Sequence, residues 1–135
     1  MKIIVDANVL LRAFVEDEPS EAEAARDLLT SAESIVVPIV AICETLWVLR
    51  RVYRQSKAQL AQTVVRLLQT EKIILDRPVV EAGLGFLEAG GDFADGVIAF
   101  EGRRLGGEAF VTFDRQAAKI MRGTKQDCVL LGRQG

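Results

Sequence analysis

The chain has 135 residues, half of them apolar, with 17 Lys and Arg against 19 Asp and Glu for a formal net charge of −2. That length suits one domain spanning residues 1–135, and the apolar share excludes the low hydrophobicity of a disordered chain. The slight acidity excludes a nucleic-acid binder that works through overall charge, so any such contact must be local.

The N-terminal stretch MKIIVDANVLL begins with a strand-like run, KIIV at 2–5, but Asp6 interrupts it too early for a signal-peptide core or a membrane span. A cytoplasmic protein with no membrane contact is expected. PSEAEAARDLLTSA at 19–32 has helical period with proline in its first turn. SIVV at 34–37 reads as a second strand, IVAICETLWVLRRVY after Pro38 as a helix, and SKAQLAQTVVRLLQT as a helix that Ser56 can cap. KIIL at 72–75 is a third strand-like run. GLGFLE at 83–88 half-resembles a dinucleotide loop but lacks the last glycine and follows no strand. GGDFADGVIAFEGRRLGG at 90–107 carries an apolar helical pattern bracketed by glycine pairs, AFVTF at 109–113 is a fourth strand, and CVLL at 128–131 is a candidate fifth. Apolar runs that are continuous rather than alternating suit strands covered on both faces. The expected fold is α/β, with a mainly parallel central sheet of four or five strands flanked by helices.

In such sheets the working site lies beyond the carboxyl ends of the strands. KIIV runs into Asp6 and AFVTF into Asp114, and each acid has an ordinary alternative as a helix cap. Asn8 can share the capping at the first of these. Glu44 has Val40, Ala41, Trp47 and Val48 as its neighbours three and four residues away, so no cation is placed for a helical ion pair. On so apolar a helix its burial would cost on the order of several kcal/mol unless it is paired, coordinated or left at a wet edge. Asp92 fits an N-cap whose side chain accepts from first-turn amides, which leaves Asp95, at the third helical position, as the ligand candidate. If Asp6, Glu44, Asp95 and Asp114 come together, each pair ~4 Å apart repels by about 4 kcal/mol at an effective dielectric near 20. An acid cluster in a chain without histidine selects a hard ion, Mg²⁺ or Mn²⁺, over zinc. Cys43 and Cys128 lack CxxC spacing, which argues against zinc and a disulfide framework, and are expected as ordinary buried thiols.

VDANVLL, CETLWVL, DFADGVIA and VTFD, in this order from residue 6 to residue 114, resemble the four acidic motifs of PIN-domain ribonucleases. The glutamate followed by LWVL, and DFAD before an apolar helix, are most similar to the VapC toxins of bacterial toxin–antitoxin pairs. The resemblance implies a compact α/β fold and a Mg²⁺-dependent endoribonuclease whose metal-activated water leaves a 5′-phosphate and a 3′-hydroxyl. It makes Asp6, Glu44 and Asp95 the core acids, Asp114 a more peripheral fourth, and Asp92 a supporting residue. Thr112 and Asn8 are expected to orient the carboxylates through hydrogen bonds. Ala7 departs from the pattern, since relatives often carry threonine or serine there. A homodimer and a cognate antitoxin are implied as partners beside the RNA substrate. Local positive charge for RNA is sought at Arg51, Arg103 and Arg104, and more widely at Arg12, Arg50 and Arg54, though a solvated helix face is the usual role of such arginines. EDEPSEAE at 16–23 would repel RNA and is expected as a solvent-facing helix start. Two rivals stay open. One is a phosphoacceptor signalling domain using Asp76 at the end of KIIL, although no lysine follows AFVTF. The other is a PIN-like protein that binds RNA without cutting it.

Overall fold

The structure, a computed structural model, describes residues 1–132. The chain divides into two compact units, Met1–Arg77 and Pro78–Gly135. In the first, β1 (Lys2–Ile4) and α1 (Ala7–Arg12) are followed by α2 (Pro19–Ser31), β2 (Ser34–Val36), α3 (Ile39–Arg51), α4 (Lys57–Gln69) and β3 (Ile73–Ile74). The three strands form a parallel sheet in the order β1-β2-β3, with Ile3 opposite Ile35 and Ile35 opposite Ile73. Parallel strands need crossovers, and α1 with α2, then α3 with α4, provide them.

Local chemistry sets the helix ends. Pro19 opens α2 with its fixed φ, where its missing N–H would have had no partner. At the other end, Lys72 Nζ donates to the carbonyls of Leu29, Thr30 and Ala32, placing a cation on the negative end of that helix. Ser56 caps α4 in a reciprocal box: its hydroxyl accepts from Gln59 N at 3.1 Å while Gln59 Oε1 accepts from Ser56 N at 2.8 Å. Ile42, Leu49 and Val64 are wholly buried beside Leu10, Ile35 and Val37 in this unit. Thr45, also buried, satisfies its hydroxyl by donating to the carbonyl of Ala41 at 2.8 Å.

The second unit holds α5 from Pro78 onward (the helix runs Arg77–Glu88), α6 (Phe93–Arg104), β4 (Phe110–Thr112), α7 (Arg115–Gly123) and β5 (Cys128–Leu130). Strands β4 and β5 pair in parallel, Val111 opposite Val129. Phe86, Ala99, Ala117 and Met121 are buried together, with Phe110, Ile120 and Cys128 packed against them. All five expected strands are present and parallel, but they are hydrogen-bonded as a three-stranded and a two-stranded sheet rather than as one central sheet. The ladders are short, two or three residue pairs each. Helix α5 was not expected. It absorbs GLGFLE, which is therefore no loop. Cys43 and Cys128 are free but only partly buried, a correction to their expected burial. No helix among the described residues is long and apolar enough to cross a membrane.

Candidate metal centre

In the second unit the chain brings two helix starts together. Asp92 is the N-cap of α6, Asp95 lies in the first turn of that helix, and Asp114 is the N-cap of α7. One carboxylate oxygen from each of Asp92, Asp95 and Asp114 can be chosen so that all lie within 4.8 Å of one another. The positive ends of both helices partly offset the crowding of negative charge. Asp95 is the half-buried member, and its carboxyl is held above its ordinary value by burial first and then by the charges of Asp92 and Asp114.

The cap and ligand roles are redistributed relative to expectation. Asp92 occupies the N-cap by its backbone, with its carbonyl accepting from Asp95 N at 3.1 Å, but its side chain makes no cap hydrogen bond. Exposed to water, that carboxylate needs no first-turn amide for solvation, and it belongs to the acid cluster. The carboxylate that does cap is Asp114, whose Oδ1 accepts from Gln116 N at 2.8 Å and Ala117 N at 3.1 Å. Thr112 acts on the main chain instead of a carboxylate: its Oγ1 accepts from Asp114 N at 3.0 Å, fixing the turn from β4 into α7. Sequence could have signalled Asp92, because an acid three residues before another at a helix start shares its face.

In the first unit Asp6 caps α1 by accepting from Val9 N at 2.9 Å. Asp6 and Glu44 line one open cavity of about 460 Å³ with Val9, Pro38 and Val40. Glu44 is exposed, as are Val40 and Trp47 on the same helix face, so it avoids the desolvation cost anticipated for an apolar helix. Its carboxylate lies at a wet edge of that cavity. Asn8 lies inside α1 and is exposed; the side-chain cap of that helix is Asp6 and not Asn8.

The sequence model of the PIN domain family matches residues 3–122. The chain belongs to the PIN-domain family. No curated protein matches it. PIN domains are generally nucleases that use divalent metals, so membership supports a hydrolase acting on nucleic acid.

The donor set of this PIN domain suits such an ion. Hard carboxylate oxygens are gathered in a chain that has no histidine, and neither cysteine belongs to the cluster. Asp92, Asp95 and Asp114 are the residues that would hold the ion, their carboxylate oxygens within 4.8 Å of one another drawing closer around a small cation.

The dual position of Asp114 gives a stability test within the PIN domain. Asp114→Ala removes both cap bonds and is expected to cost about 1 kcal/mol, whereas Asp114→Asn keeps an accepting oxygen and costs only a few tenths. Thermal unfolding in chelator should separate the two variants. Equal midpoints would show that the cap contributes nothing.

Proposed function

We propose that this PIN-domain protein is a metal-dependent endoribonuclease of the VapC toxin type, with Asp6, Glu44, Asp95 and Asp114 as its functional acids and Asp92 beside them. The observation that carries the reading is the triplet of carboxylates at the heads of α6 and α7 in a chain that matches the PIN family over nearly its full length. A bound Mg²⁺ or Mn²⁺ would supply a Lewis acid that activates water and offsets phosphoryl charge. The protein's own part is to hold carboxylates at fixed helix starts. Asp114 is fixed by its cap bonds, and Asp95 is placed beside it by the first turn of α6.

The arginines differ in their fitness to meet RNA. Arg12 is engaged, pairing with Asp17 and with Glu21 at 2.9 Å, so it is withdrawn from the expected set. The acidic stretch at 16–23 is exposed except for Ala22, as expected, and serves as a local partner for Arg12 and Arg26. Arg104 lies over Phe100 at 4.7 Å and near Glu101 at 3.5 Å. Arg51 and Arg103 are exposed. Assembly into a homodimer, and capture by an antitoxin, are supported by large exposed apolar side chains in the second unit: Ile98, Leu105, Val111 and Phe113. The phosphoacceptor rival is disfavoured because Asp76 follows β3, an edge strand, whereas such a site needs a central one.

Purified protein incubated with RNA and Mg²⁺ should yield fragments with 5′-phosphate ends, and chelator should abolish cleavage. Asp6→Asn should reduce the rate at least tenfold, since even partners of metal ligands cost about 10–100-fold when removed. RNA binding with no cleavage under any divalent metal would favour the non-cleaving alternative.

A further inference from the structure

Helix α3 presents a stripe that no packing within the first unit covers: Val40, Glu44, Trp47 and Arg51 recur at helical spacing on one face. Trp47 is 60% exposed, although it is the largest side chain on the helix. A tryptophan offers the largest aromatic face of any side chain together with a polar N–H, which suits it to contacts made at a surface. One ring face already has a cover. The Arg51 guanidinium sits over the indole, 5.6 Å from the ring centroid. That contact holds a positive charge over one face of the ring.

From these positions we propose that Trp47 is a stacking platform for a base of single-stranded RNA, with Arg51 meeting the adjoining phosphate. This rests on the ribonuclease reading above and names how that site would position its substrate. The choice of a nucleic acid over a protein occupant follows from charge. The stripe runs toward the end of α3, where Arg50 and Arg51 lie in the last turn and exposed Arg54 follows. This is a local basic cluster in a chain whose net charge is −2. An aromatic face flanked by arginines is the combination that binds single strands, the ring taking any base and the cations tracking the backbone. Placement agrees with function. Trp47 follows Glu44 by three positions, a helical rise of ~4.5 Å on one face, and Glu44 lines the same cavity as Asp6. A nucleotide stacked on Trp47 would therefore neighbour one held beside those acids.

Trp47 is the only tryptophan in the sequence, so its fluorescence reports on this face alone. The Asp95→Asn protein, which should not cut, is titrated with single-stranded oligoadenylate and with a duplex RNA of equal length. Saturable quenching by the single strand, and much less by the duplex, is expected. Trp47→Leu should weaken single-strand binding about 5- to 100-fold, measured by anisotropy of a labelled oligonucleotide. In the otherwise unmodified enzyme the same change should raise KM and leave kcat nearly unchanged. Arg51→Gln should lower the dependence of log affinity on log salt by about one unit. Circular dichroism of both variants checks that the fold is intact. Unchanged emission on adding an oligonucleotide that the wild type cleaves would overturn the proposal. So would emission that depends on protein concentration and not on RNA, because a second copy would then cover the face. Quenching without cleavage by the wild type would instead leave this proposal standing and remove the nuclease reading.

Discussion

Asp95→Asn is expected to reduce metal-dependent RNA cleavage by more than about 100-fold, beyond the 10–100-fold typical of groups that only support a ligand. The same change should stabilise the metal-free protein. Three carboxylates within 4.8 Å repel one another, and Asp95 is the one that burial penalises most. At that separation a pair costs about 1 kcal/mol in water and about 3.5 at an effective dielectric of 20. Because Asp92 and Asp114 are exposed, the lower figure applies. Asp95 meets two such neighbours, and asparagine forfeits a favourable charge near the helix start worth about 0.3–1 kcal/mol, so the net gain of about 1–1.7 kcal/mol is a rise of ~3–8 °C in the unfolding midpoint. The sign with pH follows from linkage. The folded-state proton affinity of Asp95 is raised above its ordinary value of 3.8, so its contribution to stability is fully present below that value and is lost as pH rises through the folded one. In chelator, the midpoint gap between variant and wild type should therefore open as pH climbs above the ordinary carboxylate range, then level off. Adding Mg²⁺ should reverse the order, because only the wild type gains from binding it. A variant that cuts RNA as fast as the wild type would remove Asp95 from the reaction.

That opposition between stability and function explains what the sequence made legible. Strand positions and most helix starts could be read because they depend on local chemistry: apolar β-branched runs, Pro19, and the serine and glutamine of the α4 box. The acids were found by their positions at the carboxyl ends of strands and the heads of helices. Their individual roles were not. Whether Asp92 or Asp114 uses its side chain as the cap depends on rotamers that the chain's tertiary packing selects, and both residues offer the same local pattern. Glu44 illustrates a second limit. Its apolar neighbours suggested burial, but hydrophobicity along a helix does not say which face the core takes, and here Val40 and Trp47 face water with it. Arg12 shows a third. Its partners Asp17 and Glu21 lie beyond the end of its own helix, in a segment that sequence marked only as acidic. Helix α5 carries two glycines, so propensity argued against it even with Asp76 and Pro78 at its start. Packing overrode propensity, because one of those glycines is needed where it stands.

Gly96→Ala is the test of that packing, and it is expected to be among the most destabilising single changes in the second unit. A Cβ on Gly96 would stand 2.6 Å from the carbonyl oxygen of Ala82, 2.9 Å from Phe86 Cβ and 3.0 Å from Gly83 Cα. Two of those neighbours are backbone atoms of α5, so no rotamer change relieves the contact. Helices α5 and α6 must move apart, which opens the burial around Phe86 and Val97. Overpacking of this kind costs about 3 kcal/mol or more, against a gain of about 1 from replacing glycine inside a helix. The net loss of ~2 kcal/mol or more should lower the unfolding midpoint by about 5–10 °C. Gly102→Ala, in the same helix, is the control, because nothing lies within 4 Å of its added carbon. That change should stabilise by about 0.5–1 kcal/mol. If both substitutions behaved alike, the close approach of α5 and α6 would be wrong. Gly96 also adjoins Asp95, so displacement of α6 moves the half-buried carboxylate away from Asp114 on the start of α7. Metal affinity of a folded Gly96→Ala protein should then fall well below that of Gly102→Ala at a temperature where both remain native. Such a result would tie the close approach of two helices, made by residues with no side chain, directly to the spacing of the acids.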